Sequence, residues 1–155
     1  MTNKQELITL PQYFMGRDIK FKADLTAEIE QNARELLEKV NAFLIELSLT
    51  EATVSSGWRP PAINSQVKNA AKRSSHMTGR AVDLRDSDDK LAKLVIANLM
   101  LLKKHGLWLE SIRYTPGWVH LQSIAPGSGK RVFIPSAEKP TNPDVWNGVY
   151  DKECD

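Results

Sequence analysis

His76, Asp83 and His120 constrain this fold more than any other feature of the sequence. His76 and Asp83 sit in the run S-S-H-M-T-G-R-A-V-D-L, residues 74–84, with Gly79 between them, and His120 follows in G-W-V-H-L, residues 117–121. Two imidazoles and one carboxylate are enough protein ligands for a catalytic zinc, with the fourth position left open. Imidazole nitrogen together with a hard carboxylate oxygen suits that ion. A chain that uses the three together must bring residue 120 back onto the 74–84 stretch. The remainder then serves as scaffold and pocket. Taken singly, a loop His and an Asp after an apolar strand are ordinary features, and an Asp there often caps a helix.

Composition narrows the alternatives. At 155 residues the chain fits one domain with one core, and its net charge of +2 makes no strong case for nucleic acid and at most helps the protein stay near an anionic polymer. The single cysteine, Cys154, excludes both a disulfide within the chain and a cysteine-based zinc site. Residues 1–10 lack the pattern of a secretory signal, and no apolar run is long enough to span a bilayer. The expectation is cytoplasmic synthesis of a monomer.

Residues 1–23 carry Pro11 and Gly16 and are expected to be loop or a short strand. Asp24 or Thr26 can then cap a helix, with Glu28 and Glu30 at its positive end. Leu25, Ile29, Ala33, Leu36, Leu37, Val40, Phe43, Leu44 and Leu47 recur at helical spacing, one apolar stripe that packs on the core. Residues 51–58 read as a strand that breaks at Arg59-Pro60-Pro61, and Pro61 can start a short helix. Residues 68–75 form a polar loop whose Lys68, Lys72 and Arg73 read as solvated charge, and 81–84 a short strand. Ser87 is expected to cap a second long helix, which His105 and Gly106 end. Residues 107–114 and 118–123 predict a hairpin turning at Thr115-Pro116-Gly117. From Ala125 onward an irregular tail is expected, with one further strand at 131–135. Without strict βαβ alternation the class is α+β: a small antiparallel sheet with flanking helices, in a single domain 1–155 with its core at about 24–135.

The pattern S-x-H-x-x-G-x-A-x-D, carried by Ser74, His76, Gly79, Ala81 and Asp83, resembles the zinc D-alanyl-D-alanine carboxypeptidases and peptidases. That family includes vancomycin-resistance dipeptidases and phage endolysins, and shares its fold with the hedgehog signalling domain. The segment S-G-W-R-P-P, residues 56–61, is similar to the family's S-G-[YW]-R, and W-V-H, residues 118–120, to its last ligand motif. The resemblance implies zinc held by His76, Asp83 and His120. It also implies a peptidoglycan stem-peptide substrate, with Arg59 and Ser74 beside it. The setting implied is a phage or bacterial lytic enzyme, made in the cytoplasm and released to the wall, or carried in a virion.

Two positions depart from the pattern. Many members place a catalytic Glu three residues before the last His, where this chain has Gly117. Many relatives with an aromatic-Val-His ending carry an Asp two residues after that His, where this chain has Gln122. The general base must then come from elsewhere, and Glu110 is the candidate. With Tyr114 paired to Trp118, Glu110 falls opposite Gln122 and diagonal to His120, on the same face. Arg59 is either a surface residue before a Pro-Pro turn or a guanidinium that pairs with a peptide carboxylate; the resemblance favours the second. Trp58 reads as packing and His105 as helix-end charge. The rival to an enzyme is a non-catalytic zinc-binding module of the same fold. A nucleic-acid domain built on the basic loop is weaker, since no aromatic stacking platform accompanies it.

Overall fold

Thr9 opens the first ordered element. Its hydroxyl accepts from the Gln12 amide nitrogen while the Gln12 side chain accepts from the Thr9 nitrogen. This reciprocal box, with Pro11 in the first turn, starts α1 (Leu10–Phe14). A second short helix, α2 (Arg17–Lys20), and a 3-10 turn follow, so residues 10–24 are mostly helical where loop or strand was expected. The computed structural model describes residues 5–68 and 70–135. Cys154 and the tail beyond residue 135 lie outside the described residues.

The predicted long helix is α3 (Ala27–Glu46), and Thr26 is its cap, accepting from the Ile29 nitrogen at 3.1 Å. Leu36, Val40, Phe43 and Leu44 on its inner stripe are fully buried. Each such side chain contributes about 1.5–3 kcal/mol relative to exposure, whereas a cap contributes about 1 kcal/mol. Packing therefore holds this helix, and the cap sets its start. The buried cluster reaches back to Ile8, Tyr13 and Phe14, ahead of the boundary expected at residue 24. Asn41, buried on α3, accepts from the Leu7 and Ile8 nitrogens and donates to the Ile8 carbonyl, which ties the N-terminal segment down.

Among the described residues, five strands make the sheet: β1 (Val54–Ser56), β2 (Ala81–Arg85), β3 (Trp108–Glu110), β4 (Trp118–Gln122) and β5 (Val132–Phe133), ordered β1-β2-β4-β3-β5. All pairings are antiparallel except β3 with β5, which is parallel. Side chains alternate faces. Val82, Leu84, Leu109, Val119 and Leu121 enter the core. Asp83, His120 and Gln122 share the opposite face. The result is an α+β fold, mostly antiparallel.

The second long helix is divided. α4 (Pro61–Asn64) is short, as Pro61 predicts. After β2 come α5 (Lys90–Ile96) and α6 (Leu99–Lys104), separated at Asn98, whose side chain donates to the Leu94 carbonyl in competition with the helix ladder. Ser87 does not cap this pair. The Asp86 carboxylate does, accepting from the Leu91 and Ala92 nitrogens at 2.9 and 2.8 Å. Among the described residues, no helix is long and apolar enough to cross a membrane.

Candidate metal centre

The β2–β4 register sets Asp83 directly opposite His120. Two facing positions on one face of an antiparallel pair bring side chains into contact. The His120 Nδ1 lies 2.8 Å from Asp83 Oδ1. His76 comes from the preceding loop. Its own nitrogen is held by Ser74 Oγ, and its carbonyl accepts from the Arg59 nitrogen at 3.0 Å. The imidazole is buried and donates from Nδ1 to the Gly57 carbonyl at 2.9 Å. That bond fixes the tautomer and leaves a lone pair on Nε2. This Nε2 makes no hydrogen bond, although it lies 3.2 Å from Asp83 Oδ1. The His76 and His120 rings meet edge to face, with centroids 5.1 Å apart.

Two glycines make this arrangement possible. A Cβ on Gly57 would lie 1.8 Å from the Tyr13 carbonyl oxygen, so α1 packs flush on the residue whose carbonyl orients His76. Gly79 has φ +76°, and a Cβ there would meet the Ile29 carbonyl oxygen of α3 at 2.7 Å. The glycines of S-G-W-R and H-x-x-G thus seat the ligand loop between α1 and α3. Trp58 is fully buried and its indole nitrogen donates to the Met77 carbonyl, a packing role that also pins the loop.

Electrostatics favour a cation at the point of convergence. Burial pushes His76 down, which keeps it neutral and its Nε2 available. Burial would raise Asp83, but both imidazoles beside it hold its carboxyl well below the usual carboxylate range. Burial would lower His120, yet its bond to Asp83 and the charges of Asp83 and Glu110 carry it above its ordinary value. Acceptor atoms of the three residues all lie within 4.8 Å of one another. A buried lone pair without a donor, facing a carboxylate, takes a proton or a metal ion. The N, N, O donor set fits zinc.

The expected Glu110 geometry needs correcting. The pairing is Trp108 with Gln122 and Leu109 with Leu121, not Tyr114 with Trp118. Residues 112–114 form a 3-10 turn whose local hydrogen bonds, such as Tyr114 nitrogen to Ser111 carbonyl, withdraw them from the ladder. The register slides by two, an even number, so Glu110 keeps its face and moves from diagonal to opposite His120. Its Oε2 lies 3.9 Å from His120 Nδ1. Burial, with the charge of Asp83, pushes the Glu110 carboxyl up despite His120 and Arg59.

Arg59 is not a surface residue. It is buried, donating from one terminal nitrogen to Asp83 Oδ2 at 3.1 Å and from Nε to Ser56 Oγ at 3.0 Å. Ser74 stands half-buried at the loop entrance. His105 lies apart, paired with Glu46 at the end of α6. Sequence reasoning missed Gln122 as a participant. It is buried, and its Oε1 accepts from His120 Nε2 at 2.8 Å. Its spacing of two from His120 on a strand was the signal that it shares the site's face.

The profile of the family described as Peptidase M15 matches residues 14–122, a span that holds all three candidate ligands, Arg59 and Glu110. The chain belongs to the M15 peptidase family. M15 peptidases are metallopeptidases, usually zinc-dependent, and the His76–Asp83–His120 group could bind that metal. No curated protein matches the chain, and no solved structure does.

Proposed function

We propose that this M15 peptidase hydrolyses peptidoglycan stem peptides with a zinc ion held by His76, Asp83 and His120. The observation that carries the reading is the buried Nε2 of His76. It lacks a donor and converges with His120 Nδ1 on one carboxylate oxygen. A bound zinc supplies Lewis acidity, polarising the scissile carbonyl and acidifying water. Glu110 is the general base: its carboxylate takes a proton from the attacking water and returns it to the leaving amine. A carboxyl raised by burial is better matched to that exchange than an exposed one. Arg59 holds Asp83 through Oδ2 and offers its remaining N–H groups to a peptide carboxylate, with Ser74 at the same edge. Release from the cytoplasm to the wall, as a lysis enzyme or in a virion, is the setting proposed, with the chain acting as a monomer.

The test is digestion of purified peptidoglycan with and without a chelator, followed by mass analysis of the fragments. Chelator-sensitive release of peptides supports the reading, and the fragment masses separate carboxypeptidase from endopeptidase cleavage. Gly117, in the place of the Glu three residues before the last His, favours a second reading as a non-catalytic zinc-binding module. Zinc binding without any hydrolysis would select it.

A further inference from the structure

A metal-binding imidazole must present a lone pair at one nitrogen, so the proton has to be kept on the other. His76 is served by a backbone carbonyl. For His120 the task falls on a side chain, Gln122, two positions along β4. Its amide is anchored at both ends. The nitrogen donates to the Ile124 carbonyl at 2.8 Å, and the oxygen faces His120 Nε2 at 2.8 Å. The Ile124 carbonyl can only accept, so the amide cannot turn over without losing that bond and setting its own oxygen against the carbonyl oxygen. The oxygen is therefore held toward His120, and the residue is buried, where water cannot substitute for it. Ser75 Oγ, at 3.5 Å, approaches the same oxygen from the ligand loop.

We infer that Gln122 is a positioning residue for the metal centre: it locks His120 as the Nε2–H tautomer and aims Nδ1 at the point shared with His76 Nε2 and Asp83 Oδ1. The inference rests on the zinc reading above. It gives a physical account of the amide at this position. A neutral acceptor fixes the ring without placing another negative charge beside Asp83 and Glu110.

The experiment measures zinc affinity by chelator competition in the full chain, Gln122→Met and Gln122→Glu, together with nitrogen NMR of His120 in the zinc-loaded parent. The spectrum is expected to show a proton on Nε2 and coordination through Nδ1. Gln122→Met keeps the length and removes the acceptor, and should weaken zinc binding by about 10- to 100-fold. Gln122→Glu keeps an acceptor for the Nε2–H but cannot donate to the Ile124 carbonyl, so it should bind zinc more tightly than Gln122→Met and less tightly than the parent, a partial rescue that a purely structural role for the amide would not give. Coordination through Nε2 in the parent would overturn the inference even if Gln122→Met failed to fold. So would a folded Gln122→Met that bound zinc as tightly as the parent, while leaving the zinc site itself intact. A parent with no zinc affinity would overturn the zinc reading and this inference with it.

Discussion

Two histidine–carboxylate clusters in this chain invite opposite conclusions. At the ends of α3 and α6, His105 and Lys104 both pair with Glu46 on the surface, the Lys104 contact at 2.7 Å. On the sheet, His76 and His120 share Asp83 in a buried setting. The first cluster is complete in itself, and water can replace any member. The second has a ring nitrogen without a donor, a carboxylate at its side, and each ring's far nitrogen already engaged by an oxygen. A His beside an acid becomes a candidate ligand when its other nitrogen is fixed and its lone pair has nowhere to go.

The largest effect should come from removing a lone pair on the sheet. His76→Ala or His120→Ala is expected to lose zinc and activity together, while His105→Ala keeps both, as read by elemental analysis and hydrolysis assays. Full zinc occupancy in His76→Ala would erase the distinction between the clusters. Next comes Glu110→Gln, which keeps shape and removes the proposed base. Zinc should be retained and hydrolysis should fall by at least about 100-fold. Near-normal turnover of the zinc-loaded variant would exclude Glu110 as base.

Arg59→Ala tests whether the sheet cluster depends on its buried partner. It leaves Asp83 Oδ2 without its charged donor, so the metal-free protein should lose stability on the order of 3 kcal/mol, and kcat/KM should fall by more than about tenfold. An unchanged melting temperature with unchanged kinetics would leave Arg59 without a role in either. The smallest effect belongs to Glu46→Gln. Hydrogen bonds from Lys104 and His105 hold the Glu46 carboxyl below its ordinary range. Its contribution is therefore present above the unfolded pKa and lost as pH falls through the folded one. The variant should melt slightly below the parent at neutral pH, and the gap should close in acid. A gap that widens on acidification would contradict the sign.

The sequence made some of this legible and hid the rest for physical reasons. The α3 stripe and Thr26 were readable because helical period and capping are local. So was the pairing partner of His76, since small residues and a strand lead straight to Asp83. The α1 box was overlooked because Pro11 and Gly16 read as punctuation, although Thr9 and Gln12 carried the capping signal. Ser87 lost to Asp86 because a carboxylate one residue earlier reaches two backbone nitrogens at once. The hairpin register depended on how seven residues between strands fold back, which alternation cannot fix. Glu110 kept its face only because the slip was even. The burial of Arg59 depended on a cross-sheet neighbour that local pattern does not show.

Gly57 touches no reacting atom, yet it leaves no room for a methyl group between its own backbone and the Tyr13 carbonyl. In a saturation-mutagenesis screen scored by peptidase activity, position 57 would therefore resemble an essential catalytic position: every substitution would score as a loss. Ranking positions by intolerance alone would place it beside His76 and His120. A parallel screen scored by soluble yield would separate them, since alanine at position 57 displaces α1 while alanine at 76 or 120 leaves the packing of α1 untouched.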